Sequence, residues 1–179
     1  MSAPDFAIRA ARADELDAIV AIDDAAGTLY AQAGLDFSFA PEHPFVVAEV
    51  ARWARAIDAG RAEVAVGHDG QLLGFMTLDI VDGAPYLDQL AVHPRAMRRG
   101  IGSALLQRAF AWCGNQALWL TTYAHLPWNQ PYYERHGFIA VAEERCGPQM
   151  RQILASQRAT LPAPEQRVAL VRQRLQITT

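Results

Sequence analysis

Apolar and polar positions recur along this chain with two periods, and the switches between them mark out its elements. Phe6 to Ala10 alternates as a strand does. From Asp14 to about Ala26 the period lengthens to that of a helix, with Leu16, Ile19 and Val20 on one face and acids in the first turn, where the helix dipole favours them. Gly27 to His43 reads as a loop carrying Tyr30, Phe37 and Phe39. Pro44 opens a second helix with the apolar stripe Val46, Val50, Trp53 and Ile57, and Gly60 ends it. Three strands follow at Ala62 to Gly67, Leu72 to Val81 and Pro85 to Val92. Asp69-Gly70 and Asp82-Gly83 join them, and these dipeptides supply the positive φ that tight hairpins need, so an antiparallel meander is expected.

The second half repeats the alternation of helix and strand. Gly102 to about Gly114 predicts a helix that buries Leu105, Leu106, Ala109, Trp112 and Cys113. Ala117 to Tyr123 is a strand rich in aromatic and β-branched residues. A short helix within Pro127 to Gly137, a strand at Phe138 to Ala142, a helix from Pro148 and a last strand at Arg167 to Leu175 complete the order. That order predicts an α/β (α+β) fold: a mixed, mostly antiparallel sheet of six or seven strands with helices on both faces. No repeat or low-complexity linker interrupts it, so residues 1–179 are expected to form a single domain.

Composition narrows the functional classes. The formal net charge is −3, and arginines are scattered except at Arg95, Arg98 and Arg99, which argues against a nucleic-acid face. No apolar run approaches the ~18 residues a membrane span requires. Asp5, Asp14, Glu15 and Asp17 break up the first twenty residues, unlike a secretory leader, so a cytoplasmic location is expected. Cys113 and Cys146 lack the spacing of a zinc site and read as reduced thiols, and no metal site is expected.

The chemistry concentrates where the third meander strand stops at Pro94 and the next helix starts. Gly100-Ile101-Gly102-Ser103 opens that helix, whose first amides have no intrahelical partner and, with the dipole, attract phosphate. Two glycines let a bulky anion approach the main chain, and the three arginines make the surroundings positive. A Walker phosphate loop is excluded because no Gly-Lys-Ser/Thr follows, and a Rossmann fingerprint fails on glycine spacing.

Two stretches resemble the Gcn5-related N-acetyltransferase (GNAT) superfamily. Leu90 to Pro94 together with Arg98-Arg99-Gly100-Ile101-Gly102-Ser103-Ala104-Leu105-Leu106 is similar to its acyl-CoA motif. Asn129-Gln130-Pro131-Tyr132-Tyr133-Glu134-Arg135-His136-Gly137-Phe138 is similar to its second signature. The resemblance implies acetyl-CoA as donor, a primary amine as acceptor, and a sheet whose fourth and fifth strands part to admit the pantetheine arm. It implies that Leu90, Ala91 and Val92 lie along that arm. Arg98, Arg99, Gly100, Ile101, Gly102, Ser103 and Ala104 would surround the pyrophosphate, Asn129 would contact the cofactor arm, and Tyr133 would stand near the thioester sulfur. Met97 departs from the pattern, since the family usually has Gln or Arg three positions before the first motif glycine.

Acetyl transfer needs a neutral amine. At pH 7 a lysine-like amine pays ~4.6 kcal/mol to lose its proton and an α-amine only ~1 kcal/mol. Asp88 lies two residues before Leu90 on the same strand face and is the candidate base or acceptor anchor. A main-chain N–H near Leu90 suits the developing oxyanion. A tyrosine hydroxyl is protonated at pH 7, so Tyr133 can supply the proton that the departing thiolate takes. The expected acceptor is a small amine or amino-acid-like compound, with a protein N-terminus or lysine and a non-catalytic acyl-CoA-binding module as alternatives. If Arg167 to Leu175 forms a sheet edge, a homodimer paired across a two-fold axis is also expected.

Overall fold

In a computed structural model that describes residues 5–173, the chain forms two compact units. The first runs up to Asp79 and includes Asp88–Ala109; the second comprises Ile80–Leu87 and the chain from Phe110 onward. In chain order the elements are β1 (Phe6–Ala10), α1 (Leu16–Gln32), α2 (Pro44–Asp58), β2 (Ala62–Gly67), β3 (Leu72–Val81), β4 (Ala84–Val92), α3 (Ile101–Cys113), β5 (Leu118–Tyr123), α4 (Gln130–Glu134), β6 (Ile139–Val141), α5 (Pro148–Thr160) and β7 (Arg167–Arg172). The seven strands are ordered β1-β2-β3-β4-β5-β7-β6. Pairs β1–β2, β2–β3, β5–β7 and β6–β7 are antiparallel, whereas β4 and β5 are parallel, in register at Tyr86–Trp119 and Leu87–Leu120. This is the mixed, mostly antiparallel sheet that the alternation of elements predicts.

The first unit is organised by the faces of α1 and α2. Ile19 and Ile22 from α1, and Trp53, Ala56 and Ile57 from α2, pack on Val64, Phe75 and Ala91 of the sheet, with the Trp53 and Phe75 rings 5.3 Å apart. Glu15 fixes the start of α1: its carboxylate accepts from Arg9 Nη2 (2.5 Å) and from the Arg12 main-chain N–H (2.8 Å). Arg9 is the main reason its pKa lies below the ordinary carboxylate value, followed in effect by burial, which opposes it. Gly74 of β3 allows a close approach. A Cβ there would stand 2.9 Å from the Ala91 carbonyl oxygen and 3.1 Å from Ile101 Cγ2, so only glycine lets β3 lie this close to the end of β4 and the start of α3.

In the second unit Val81, Tyr86, Cys146, Met150, Leu154 and Ala169 form the core. Its most specific polar contact joins the β3–β4 hairpin to α5. Asp82 (φ 51°) and Gly83 (φ 75°) make the left-handed turn expected of Asp-Gly. From that turn the Asp82 carboxylate accepts the Gln149 and Met150 main-chain N–H groups at 2.9 and 3.0 Å, capping α5 from 67 and 68 residues away in sequence.

Three expectations need correction. The helix expected to stop near Ala26 runs to Gln32, because the helix formers from Leu29 to Gln32 outweigh the ~1 kcal/mol cost of Gly27. It ends instead at Gly34 (φ 81°), with Leu35 N–H bonded to the Tyr30 carbonyl. Trp112 is 38% exposed rather than buried. The buried row Ile101, Leu105, Ala109, Cys113 advances about 40° per step and has rotated away from Trp112 by the last turn. Finally, β7 lies between β5 and β6, so both of its sides are paired and it offers no edge for a two-fold partner. Arg174 and Leu175, the last positions expected in that strand, lie outside the described residues.

Both cysteines are buried and free. Burial pushes the Cys113 thiol up to about 11 and raises Cys146 as well, which makes both poor nucleophiles.

Candidate active site

The turn between β4 and α3 is built by alternating backbone hands. His93 closes β4, its ring nitrogen accepting the Arg95 N–H at 3.2 Å, and Pro94–Ala96 makes one 3-10 turn with Ala96 fully buried as its anchor. The chain then turns left-handed at Arg98 (φ 59°) and again at Gly100 (φ 81°). A positive φ costs a residue with a Cβ about 1–3 kcal/mol, and such strain gathers where a ligand is held. The first bond of the α3 ladder runs from Ala104 N–H to the Gly100 carbonyl (2.9 Å), which puts the Ile101 and Gly102 amides ahead of the ladder. The Ile101 side chain, 1% exposed, pins this end of the helix to the core.

The chemistry of this mouth suits an anion. A Cβ on Gly100 would meet no atom within 4 Å, so there is open space beside main-chain donors and the positive end of a 13-residue helix. The arginines divide their work: Arg99 pairs with Asp5, and Arg95 Nη2 bonds Gln71 Oε1 at 2.5 Å. Arg98 is exposed and has no carboxylate partner among the described residues. Leu90, Ala91, Val92 and the residues from Arg98 to Ala104 fall in one unit. Ala91 differs from its neighbours, because its side chain is buried against α1 and α2 and only its main chain is available to a ligand.

Upstream on β4 is a set of acids. Asp88 receives the Arg52 Nε at 3.2 Å on both carboxylate oxygens, while Arg52 Nη2 lies 3.8 Å from Glu49. Burial raises the Asp88 pKa and Arg52 opposes that rise, leaving a carboxylate more basic than an exposed one with lone pairs to spare. Asp23 of α1 is the functional candidate that sequence reasoning missed. It accepts the Gln89 side-chain N–H at 2.6 Å, and burial, reinforced by Asp24 and Asp88, pushes it from 3.8 to about 7. Its signal was present: Asp23 stands four residues after Ile19 and one after Ile22, an acid set into the buried stripe of its helix.

A stability prediction follows for Asp23. The unfolded chain keeps the ordinary value, so between pH 3.8 and about 7 the folded state holds the extra proton and stability falls as pH rises through that window. The full displacement is worth ~4 kcal/mol, and Asp23 is only half-buried by surface, so about half is expected. Asp23→Asn should accordingly raise the melting temperature by roughly 4–8 °C at pH 8 and change it little at pH 4. Equal shifts at the two pH values in calorimetric melts would contradict the raised pKa.

Tyr133 and Asn129 belong to the second unit, Asn129 just ahead of α4 and Tyr133 within it, and the Tyr133 N–H donates to the Asn129 carbonyl at 3.1 Å. Both are buried, and the Tyr133 ring packs edge-on to Phe138 at 5.5 Å. Gly137 (φ 86°) ends this turn as the sequence predicts. Tyr123 is structural: it is 1% exposed, its hydroxyl donates to the Pro162 carbonyl at 2.6 Å, and the Arg167 guanidinium lies 4.6 Å over its ring. The Tyr30 ring packs at a tilt on Phe37 (4.9 Å), Phe37 meets Phe39 edge-on (6.5 Å), and Phe39 packs at a tilt on His43 and Phe45.

The glycine-led helix mouth, the order of strands and the Asn129–Tyr133 turn coincide with a family match: the acetyltransferase (GNAT) family model covers residues 28–138. The chain belongs to the GNAT family. Two mycothiol acetyltransferases are similar to it over part of their length. The protein from Mycolicibacterium vanbaalenii is 50% identical over 44 residues, 24% of this chain and 15% of its own. That from Geodermatophilus obscurus is 33% identical over 97 residues, 54% of this chain and 30% of its own, so the matched stretches span less than a third of either relative. The PaiA N-acetyltransferase from Thermoplasma acidophilum, solved in complex with coenzyme A, superposes with a TM-score of 0.64 at 15% identity over 97% of this chain and 100% of that one. At that identity the likeness is one of GNAT fold. Among the described residues no helix is long and apolar enough to cross a membrane.

Proposed function

We propose that this GNAT chain transfers the acetyl group of acetyl-CoA to the primary amine of a small, amino-acid-like acceptor. The observation that carries the donor half is the mouth of α3, where left-handed Arg98 and Gly100, open space at Gly100 and the leading amides suit a diphosphate. Acetyl-CoA supplies an activated thioester. The chain's own residues do the rest. Amides at Ile101 and Gly102 with Arg98 bind the diphosphate, Leu90 and Val92 align the pantetheine arm, and Asn129 contacts that arm. Asp88, made more basic by burial and held in place by Arg52, takes the ammonium proton of the acceptor. Tyr133 gives a proton to the departing thiolate and takes back the second proton that the acceptor nitrogen sheds as the amide forms.

An α-amine suits this machinery better than a lysine amine, because a carboxylate base needs to supply only ~1 kcal/mol of deprotonation at pH 7 rather than ~4.6. The mycothiol acetyltransferase names of the matched relatives are consistent with a small acceptor. The test is a thiol-release screen of acetyl-CoA against amines, amino acids and peptides. Turnover is expected with small α-amines, and Tyr133→Phe, which keeps the ring against Phe138, should lower it roughly 100-fold at pH 7. A variant as fast as wild type from about pH 6 to 9 would remove Tyr133 from the proton-donor role.

A further inference from the structure

Among the donors assigned to the thioester, the Leu90 N–H is already engaged. It points at the Oε1 of its neighbour Gln89 at 3.2 Å, while the Gln89 Nε2 donates to the Asp23 carboxylate at 2.6 Å. The first contact determines the orientation of the amide. A main-chain N–H can only donate, so Oε1 must face Leu90 and Nε2 is left facing Asp23. A strand side chain that bonds the next residue's own N–H is doing what a sheet neighbour or a ligand carbonyl otherwise does at that position. Asp23 is held in turn by α1, whose Ile19 and Ile22 are buried against α2 and the sheet, so the anchor is a rigid element and not a loop.

We infer that the Gln89 side chain is an internal stand-in for the thioester carbonyl, occupying the Leu90 N–H in the free protein and leaving it when an acyl-CoA arrives. The inference rests on the acetyl-CoA reading above. The chemistry is one exchange of acceptors at a single N–H: the bond to Gln89 Oε1 breaks, the bond to a carbonyl oxygen of the ligand forms, and no proton changes owner. Two consequences follow. The N–H is never left bare in the free protein, where an unmet donor in a partly buried strand would be costly. The ligand must also displace an acceptor tethered by Asp23, so the free protein opposes binding of any donor that carries a carbonyl at that place. Coenzyme A itself ends in a thiol, has no thioester carbonyl and meets no such competition. Gln89 is thus a positioning residue that sets the preference between acylated and free coenzyme.

The ratio of the two dissociation constants measures this directly. Isothermal titration of the full chain with coenzyme A and with acetyl-CoA gives that ratio for wild type and for Gln89→Met, which keeps the side-chain length and loses the acceptor. Acetyl-CoA should bind about five-fold more tightly to the variant, the equivalent of one ordinary hydrogen bond, with coenzyme A unchanged. Hydrogen exchange at the Leu90 amide should also quicken in the free variant. Asp23→Asn, which weakens the tether and keeps the acceptor, should move the ratio the same way by less, and it serves if Gln89→Met does not fold. An unchanged ratio, parallel changes for both ligands, or acetyl-CoA bound more weakly with coenzyme A unaffected would each overturn the inference, the last because Gln89 would then be contacting the ligand. Failure of both ligands to bind wild type would instead refute the acetyl-CoA reading.

Discussion

Gly100→Val is expected to weaken coenzyme A binding roughly 100-fold, or ~2.7 kcal/mol, in a calorimetric titration. Two effects add. At φ 81° a β-branched residue is forced into a conformation it almost never takes, so the turn relaxes and the leading amides of α3 lose their aim. The new side chain also grows into the open space where the diphosphate is proposed to sit. Gly114, just past the other end of the same helix, separates strain from obstruction. It too has a positive φ (56°) and open space around it, so Gly114→Val should cost comparable stability and leave coenzyme A affinity within about two-fold of wild type. Retention of wild-type affinity by Gly100→Val would show that the anion is bound elsewhere.

Gly147→Ala is expected to destabilise the protein by ~2–3 kcal/mol, a fall in melting temperature of roughly 5–10 °C. The backbone is not the reason, since Gly147 has φ −68° and ψ 168°, which alanine adopts freely. The reason is the Asp82 carboxylate, whose Cγ and Oδ2 would each lie 2.3 Å from the new Cβ. Moving it out of the way gives up both charge-assisted bonds to the first amides of α5. The two residues should therefore be coupled. Once Asp82→Ala has removed the carboxylate, adding Gly147→Ala should cost only a few tenths of a kcal/mol. Additive losses in the double variant would show that Gly147 is needed for some other contact.

The two glycines illustrate how unevenly a sequence displays its reasons. Gly100 announces itself by position, since it follows a strand and two arginines and precedes a helical stripe. Gly147 has no such context, and its neighbour in space is a hairpin aspartate far along the chain. Asp82-Gly83 was legible as a turn because turn chemistry is local, but the second duty of Asp82, capping α5, was not. Among the site residues the same division holds. The Asn129–Tyr133 turn and the Arg98–Ala104 mouth are contiguous and could be read directly. Arg52 beside Asp88 and Asp23 beside Gln89 meet only across helices and strands 36 and 66 residues apart. The extension of α1 has a different reason, because a single glycine weighs less than the helix formers around it.

By itself the sequence determined the number, type and order of the elements, the hairpins at Asp-Gly, and the glycine-led mouth of α3, since each depends on periodicity or backbone preference within a few residues. The tertiary structure alone decided which carboxylates are buried, what holds Asp88 and Gln89, why Gly74 and Gly147 must lack a side chain, and that β7 is enclosed on both sides. Those outcomes depend on desolvation and contact between distant segments, and neither exists until the chain has packed.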